Sequence, residues 1–314
     1  MATWGIVSTI KAELPDILNF AAWHLHLGAH RIYLHLDVPD DRAMEILSAH
    51  PRIRPVVTGP EYWKRLGRAR PAKHQVRQTV NASRVYARRD EVDWLAHIDV
   101  DEFLIPDKPL SETLDALPRS TQVARMRPME NLAPLDTSGP VDFKLLNMSL
   151  PERRRLSTQV WPTFGPYLNG GFLSHVAGKI FVRTSLPEPE FRIHNFRTAG
   201  QENPSQVELQ EVALAHLHYE NWESWLRQYR FRHDKGSYRS ELKPAQPRER
   251  GGMTLHDLFA HLEQEQGDAG LKAFFDEVCA ATPEHIARLQ AAGLHRALHL
   301  PLAEVRETVF PGIA

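Results

Sequence analysis

The sequence has little or none of several features that would narrow its class. Cysteine occurs once in 314 residues, at Cys279, so no disulfide can form within the chain. Acidic and basic side chains nearly balance, and a formal net charge of -1 gives no reason to expect a nucleic-acid partner. No apolar run approaches the length of a membrane span, and the first residues lack a basic region followed by a long apolar one. We therefore expect a cytoplasmic protein without a transmembrane segment, with peripheral attachment to a membrane as an alternative.

The usual dinucleotide fingerprint, G-x-G-x-x-G after a first strand, is also missing. What remains is an ordinary globular composition, with 42% hydrophobic and 25% charged residues. A chain of this length suits one large α/β domain with additions, or two domains.

Strand and helix patterns alternate over the first part of the chain. Apolar and β-branched runs predict strands at Trp4–Ile10, Arg31–Leu36 and Ile53–Val57. Between the first two, apolar residues recur at helical spacing, with Pro15 near the helix start and Gly28 near its end. This order is typical of a doubly wound, mostly parallel sheet flanked by helices.

The stretch WLAHIDVDEFL, from Trp94 to Leu104, places carboxylates directly after an apolar run. Such a run is typical of a strand buried on both faces of a parallel sheet, and ligands bind beyond the carboxyl ends of these strands. Asp99 and Asp101 could point the same way, and two hard oxygen ligands suit Mg²⁺ or Mn²⁺. The alternative is that these acids only cap a helix or form a turn.

A basic segment precedes this stretch, between Gly59 and Arg89. A helix from about Lys73 to Arg89 would place Gln78 on one stripe and Arg77 on another. A basic and amide-rich helix beside a metal site is what a diphosphate would need. The alternative is a solvated charged face without a ligand.

Several blocks together resemble the glycosyltransferase family 2-like group of GT-A nucleotide-sugar transferases. The resemblance rests on Glu13 after the first strand, the helix ending WHLHLGA, Asp37 after the second strand, a Gln-rich helix and above all DVDEFL, and it covers about the first third of the chain. It implies a GT-A, Rossmann-like, mixed but mostly parallel sheet flanked by helices. Apolar residues at helical spacing from Thr254 onward separately predict a small C-terminal helical extension. The resemblance also implies site roles: base and ribose for Glu13 and Asp37, a Mn²⁺ or Mg²⁺ ion for Asp99 and Asp101, and the sugar diphosphate for Gln75, Arg77 and Gln78.

Beyond this first third, a strand is predicted from Thr121 to Arg127 and runs into Glu130. An inverting transferase needs a carboxylate on the acceptor side to take the proton of the acceptor hydroxyl, and Glu130 is our candidate for that base. The alternative is a loop carboxylate with no task. The segment from Ala133 to Gly171 has little periodicity and predicts a long loop or an acceptor-side insertion.

A late block, LAHLHYENWESWLRQYRFRHDKG, resembles the His-Tyr segment, helix and Lys-Gly pair of the same group. GT-A enzymes often take a third metal ligand from a late histidine, for which we choose His218, with His194 as its rival. Lys179, at the start of a predicted strand, and Lys235 are assigned to the nucleotide sugar. Lys235 could instead only cap its helix.

These predictions define a catalytic domain at 1–240 and a helical extension at 241–314, which packs on that domain or forms a homodimer surface. The predicted activity is a metal-dependent glycosyltransferase. A sugar, with a UDP-sugar as the favoured donor, would pass with inversion to a hydroxyl of a carbohydrate or glycolipid acceptor. Two alternatives are another metal-dependent nucleotide enzyme, such as a nucleotidyltransferase or pyrophosphohydrolase, and a non-catalytic nucleotide-sugar-binding relative.

Overall fold

A computed structural model of the chain describes residues 1–88, 91–136, 139–235, 244–245 and 247–313. The chain divides into two compact units. Unit 1 consists of Met1–Arg127, Ala177–Leu214 and Pro301–Ala314, and unit 2 of Pro128–Val176 and Ala215–Leu300. The domain boundary predicted between 240 and 241 lies outside the described residues.

The strands and helices of the described residues are numbered in chain order. The strands are β1 (Trp4–Ile10), β2 (Arg31–Leu36), β3 (Ile53–Val57), β4 (Trp94–His97), β5 (Glu102–Pro106), β6 (Val123–Asn131), β7 (Val141–Leu145), β8 (Lys179–Arg183), β9 (Glu190–Phe191), β10 (Phe196–Thr198), β11 (Gln201–Glu202), β12 (Gln206–His216) and β13 (His295–Leu298). The α-helices are α1 (Leu14–His26), α2 (Asp41–Ala49), α3 (Pro60–Arg65), α4 (His74–Ala87), α5 (Leu110–Asp115), α6 (Leu150–Val160), α7 (Trp222–Lys235), α8 (Leu255–Gln266), α9 (Asp268–Val278), α10 (Pro283–Ala291) and α11 (Leu302–Val309). Within the described ranges, none of these helices combines the length and the apolar character that a membrane crossing requires.

The sheet of unit 1 is built around β1, whose seven residues are all buried. β1 pairs in parallel with β2 on one side and with β4 on the other, and β2 pairs in parallel with β3. Burial on both faces explains why these strands read as nearly continuous apolar runs. The predicted parallel α/β arrangement is therefore confirmed.

Helix α1 covers this sheet with the apolar face that the sequence predicts. Pro15 lies in its first turn, where a missing amide hydrogen has no cost, and Ile17, Leu18 and Leu25 are buried. Helix α11, from the end of the chain, packs against α1 within the same unit.

Antiparallel strands complete unit 1. β8 pairs with β4 and with the first half of β6, while β12 pairs with β5 and β6. A separate small sheet has the order β11-β10-β9. Unit 1 thus has a mixed α/β sheet, consistent with a Rossmann-like GT-A fold, in which the strands that carry the acidic motifs are parallel.

Unit 2 combines a short antiparallel sheet with helices. The end of β6 pairs with β7, and β7 pairs with β13. Its core is aromatic: Trp161, Phe164, Trp225, Phe259 and Phe274 are all buried in one cluster. Large aromatic rings contribute strongly to the apolar area that a core buries.

One prediction in this unit was wrong. The segment from Ala133 to Gly171, expected to be a long loop or an acceptor-side insertion, contains β7 and α6, so it is not a long loop. The apolar face of α6 is short, and a buried arginine, Arg153, stands where an apolar residue would mark the helix. Arg153 donates to the Asn147 carbonyl at 2.8 Å, so its charged end is bound locally.

Candidate functional site

The carboxyl ends of the parallel strands of unit 1 bring the first predicted site residues to one edge. The amide of Asp37, after β2, donates to the carbonyl of Ile10 at the end of β1 over 2.8 Å. Glu13 follows β1 as the N-cap residue of α1 and is exposed. Asp99 follows β4, the other neighbour of β1.

Asp37 is a buried carboxylate held by two arginines. Its side chain is 1% exposed, and Arg77 donates to both of its oxygens, from Nε at 2.9 and 3.1 Å and from Nη2 at 2.7 Å. Arg70 Nη2 lies 3.1 Å from Asp37 Oδ1. Burial alone would raise the pKa of Asp37, but the two guanidinium groups hold it below its ordinary value. Arg77 also donates from Nη1 to the carbonyls of Pro71 and Ala72, so it fixes the loop before α4 as well.

The next residue of α4, Gln78, contacts the other acidic strand end. Gln78 is 5% exposed, and its Nε2 donates to Asp99 Oδ1. Consecutive residues of one helix therefore hold Asp37 and Asp99, which both follow strands at the carboxyl edge of the sheet of unit 1. Gln75, in the first turn of α4, is exposed.

Lys179, the first residue of β8, is the cation that pairs with Asp99. It is 1% exposed, and its Nζ lies 2.7 Å from Asp99 Oδ2 and 3.4 Å from Glu102 Oε2. Burial alone would lower the pKa of Lys179, but the charges of Asp99, Glu102 and Asp101 raise it above its ordinary value. Glu102 also accepts a 2.8 Å hydrogen bond from the Asp99 amide, which fixes the loop between them. We predicted no role for Glu102, although it lies inside the DVDEFL block.

The charge balance of this cluster suits a divalent cation. Asp99, Asp101 and Glu102 supply three carboxylates, and Lys179 supplies one ammonium ion. With all groups ionised, two negative charges are left in excess. Asp101 is half-buried, and its carboxylate oxygens are the hard ligands that Mg²⁺ and Mn²⁺ prefer.

His194 belongs to the same unit and is hydrogen-bonded to the residue directly before the strand that carries Lys179. Its Nδ1 donates to the carbonyl of Gly178 over 2.9 Å, so the lone pair of the neutral ring is on Nε2. Gly178 has a φ of 69°, and a Cβ there would lie 2.0 Å from the Met126 carbonyl oxygen. Only glycine fits this position. The role of His194 as a cation ligand stays a prediction.

One buried histidine near the acidic loop was not predicted as a site residue. His97, on β4, is 2% exposed, and neither of its ring nitrogens has a hydrogen-bond partner. Burial, with the nearby charge of Lys179, lowers its pKa to about 3, so the ring is neutral. The only sign in the sequence is a polar residue inside an otherwise apolar strand.

Glu130 lies inside unit 2, in β6 itself, because the strand continues through Asn131. It is fully buried and paired with Lys144, also fully buried, at 2.9 Å. Its oxygens accept hydrogen bonds from the Leu173 and Ser174 amides and, at 2.7 Å, from the Ser174 hydroxyl. Burial alone would raise the pKa of Glu130, but Lys144 and these donors hold it below its ordinary value. Each of these contacts ties the carboxylate to the framework of unit 2.

His218 follows β12 in unit 2 and is 5% exposed. Arg232 donates to its Nδ1 over 3.1 Å, so the neutral ring carries its proton on Nε2. Burial, followed by the charges of His216, Arg232 and Lys144, lowers the pKa of His218 well below its ordinary value. Lys235 is the last residue of α7, and its side chain lies outside the described residues.

Comparisons with known proteins add little. No protein-family model matches the chain, and no curated protein sequence does. A crystal structure of S. aureus TarS, residues 1–349, is similar with a TM-score of 0.34 and 11% identity, covering 77% of this chain and 67% of that one. A crystal structure of HddC from Yersinia pseudotuberculosis is similar with a TM-score of 0.27 and 9% identity, covering 45% of this chain and 67% of that one. Similarities of this size carry no argument about activity.

Proposed function

We propose that the chain is a metal-dependent glycosyltransferase that binds a nucleotide-diphosphate sugar at the carboxyl edge of the sheet of unit 1. One observation carries the proposal: Arg77 and Gln78, adjacent on α4, hold the carboxylates of Asp37 and Asp99. The carboxyl edge of a parallel sheet is where such folds bind nucleotides, and here it carries acidic groups at two strand ends. The DVDEFL motif and its resemblance to GT-A transferases supply the reaction class.

In this proposal different residues at the edge of the sheet bind different parts of the donor. Glu13 and Asp37 face the base and ribose, with a UDP-sugar as the favoured donor. The charges of Arg70 and Arg77 exceed that of Asp37 by one, and the first turn of α4 adds the positive end of a helix dipole. Both features favour a diphosphate beside Gln75 and Gln78.

Asp101 and Asp99 would hold the Mn²⁺ or Mg²⁺ ion, which offsets charge on the departing diphosphate. Asp99 is paired with Lys179, so a cation would share this carboxylate with the ammonium ion. Lys179 keeps Asp99 in place and limits cation binding before the nucleotide arrives. His218 or His194 as a further ligand stays a prediction.

The acceptor side of the proposal concerns the incoming hydroxyl group and its base. Attack by a hydroxyl of a carbohydrate or glycolipid, with inversion, follows from the resemblance, and the base is a separate question. Since the known contacts of Glu130 tie it to Lys144 and to backbone amides, we propose that Glu130 is a positioning residue.

Isothermal titration calorimetry with UDP and Mn²⁺ tests the donor site. We expect nucleotide affinity that depends on the metal, and we expect Asp101→Ala to lower it by roughly a hundredfold. Asp115→Ala is the matched control, because Asp115 is an exposed carboxylate of the same unit. Equal UDP affinity in both variants would remove Asp101 from the site.

Product analysis tests the reaction class. A transferase releases nucleoside diphosphate from a nucleotide sugar in an acceptor-dependent way. A nucleotidyltransferase or pyrophosphohydrolase releases monophosphate or pyrophosphate instead, and a non-catalytic relative releases nothing although it binds. Either of the last two outcomes would overturn the proposed activity.

A further inference from the structure

Arg125, on β6 of unit 1, is a buried charged residue that none of the roles above uses, and it is 4% exposed. All five N–H groups of its guanidinium group donate hydrogen bonds. They run from Nε and Nη2 to Gln206 Oε1 at 3.0 and 2.9 Å, from Nη2 to Asn195 Oδ1 at 2.8 Å, and from Nη1 to the carbonyls of Ala177 and His194 at 2.8 and 3.0 Å. Arg125 therefore joins three segments that are distant from it in sequence.

These acceptors of Arg125 are all neutral. No carboxylate of the described residues is among them, whereas the next arginine of the strand, Arg127, pairs with Glu208 at 2.7 Å and reaches the Ala177 carbonyl only at 3.2 Å. A buried charge without a counter-ion loses hydration that neutral oxygens replace only in part. Stabilisation of the fold is therefore a weak explanation of Arg125. Its planar group with five donors is suited instead to fix several acceptors relative to one another.

Two of these hydrogen bonds concern the start of β8, where Lys179 is the first residue. One is direct, to the carbonyl of Ala177, two residues before Lys179. The other fixes the backbone of His194, whose ring donates from Nδ1 to the carbonyl of Gly178 at 2.9 Å. Both carbonyls that precede Lys179 are thus held by Arg125, directly or through one residue.

The backbone before Lys179 has little freedom to move. Gly178 has a φ of 69°, and Lys179 pairs in register with Met126 of β6. From this backbone the Lys179 side chain, which is 1% exposed, extends to Asp99 at 2.7 Å. Because a lysine side chain is long and flexible, its ammonium ion keeps a fixed position only if the backbone that carries it is fixed.

We propose that Arg125 is a positioning residue of the cation site, which fixes the start of β8 and thereby keeps the ammonium ion of Lys179 on Asp99. Loss of the guanidinium group would let Lys179 move away, so a divalent cation would meet less competition for the Asp99 carboxylate. The consequence for metal binding rests on the proposed function, whereas the effect on the position of Lys179 does not.

Amine acetylation of the full chain, read by mass spectrometry, tests the position of Lys179 without metal or nucleotide. The reagent needs an accessible and deprotonated amine, so the buried, ion-paired Lys179 should react slowly in the wild-type protein. Arg125→Met should raise the rate at Lys179 roughly tenfold. Arg192→Gln is the matched control and should leave the rate unchanged, because Arg192 is 48% exposed and pairs with Glu190. Equal Lys179 rates in Arg125→Met and the wild type would overturn the proposal.

A double-mutant cycle with Mn²⁺ tests whether Arg125 acts through Lys179. Without nucleotide, calorimetry should show that Arg125→Met binds Mn²⁺ roughly fivefold more tightly than the wild type. In the Lys179→Gln background the same change should have no effect, because the ammonium ion through which Arg125 acts is gone. A merely structural role predicts instead that Arg125→Met weakens Mn²⁺ binding in both backgrounds. An equal effect in both backgrounds, of either sign, would overturn the proposal.

Two further variants keep the test decisive if Arg125→Met does not fold. Gln206 is exposed and accepts from Nε and Nη2 of Arg125, so Gln206→Ala loosens the guanidinium group without removing a buried side chain. It should change both measurements in the same direction as Arg125→Met, by a smaller factor. Arg125→Lys keeps the charge without the planar group and should behave like Arg125→Met. Wild-type behaviour of Arg125→Lys would show that the charge alone matters and would overturn the positioning role.

The two measurements also separate this proposal from the proposed function. If acetylation of Lys179 rises in Arg125→Met but neither protein binds Mn²⁺, the positioning role stands and the metal site of the proposed function fails. If the wild type binds Mn²⁺ and UDP but Lys179 reacts at the same rate in both proteins, the proposed function stands and the role of Arg125 fails.

Discussion

Replacing Glu130 by glutamine separates its two suggested roles, catalytic base and buried anchor. Glutamine has nearly the same shape, and its carbonyl oxygen can still accept from the Leu173 and Ser174 amides. The change removes the negative charge that lies 2.9 Å from the ammonium ion of Lys144, and both side chains are 0% exposed. The variant therefore leaves an uncompensated charge inside unit 2.

The expected cost follows from this burial. Removing one partner of a buried ion pair destabilises a protein by about 3–5 kcal/mol, since the remaining charge has neither water nor a counter-ion. With a guanidinium slope of roughly 4 kcal/mol per molar, the unfolding midpoint should fall by about 1 M. Lys144→Met in the same chain should raise the midpoint again, because it removes the unpaired ammonium ion.

Guanidinium unfolding followed by tryptophan fluorescence measures the shift, and turnover with a nucleotide sugar measures catalysis. Glu152→Gln is the control, because its carboxylate pairs with Arg155 in solvent and its loss should leave the midpoint unchanged. A Glu130→Gln midpoint equal to that of the wild type, together with a large loss of turnover, would refute the anchoring role and restore Glu130 as the base.

Three further predictions concern unit 1. Lys179→Gln removes the ammonium ion paired with Asp99, so calorimetry without nucleotide should show roughly tenfold tighter Mn²⁺ binding. An unchanged Mn²⁺ affinity would indicate that this acidic cluster does not bind the cation. Asp37→Asn should weaken UDP binding roughly tenfold and spare Mn²⁺ binding without nucleotide, a pattern that equal losses of both would contradict. Burial lowers the pKa of His24 from an ordinary 6.5 to about 4. Between these two pH values the unfolded chain binds more protons than the folded chain, so the free energy of unfolding falls by about 3 kcal/mol as the pH drops from 6.5 to 4. His24→Leu should reduce the pH dependence of the melting temperature. The control is His26→Leu, at an exposed position, and the same pH dependence in both variants would contradict the prediction.

The parallel strands could be predicted because burial on both faces leaves a direct mark in the sequence. Trp4–Ile10, Arg31–Leu36 and Ile53–Val57 were predicted with the bounds that the structure has. Local capping likewise depends on residues that are close in sequence: the Asp40 carboxylate accepts a hydrogen bond from the Ala43 amide at the start of α2.

Partners distant in sequence could not be predicted. Arg77 and Gln78 were assigned to a ligand, yet their observed partners are Asp37 and Asp99, because periodicity shows which face of a helix is buried but not what it meets. The burial of Lys144 could not be predicted, because a single lysine in a short strand has the sequence pattern of a surface residue. Only the structure shows that Glu130 lies beside it. The predicted end of α4 at Arg89 lies outside the described residues.

The pairing of Asp99 with Lys179 also affects the order in which the nascent chain can fold. Eighty positions separate the two residues, so the ribosome must synthesise β8 before the acidic loop after β4 receives its cation. Helix α11, which packs on α1, is translated later still. Helix α1 therefore waits through much of translation with the face that contacts α11 uncovered, and truncation before Pro301 should yield a product that aggregates or needs a chaperone.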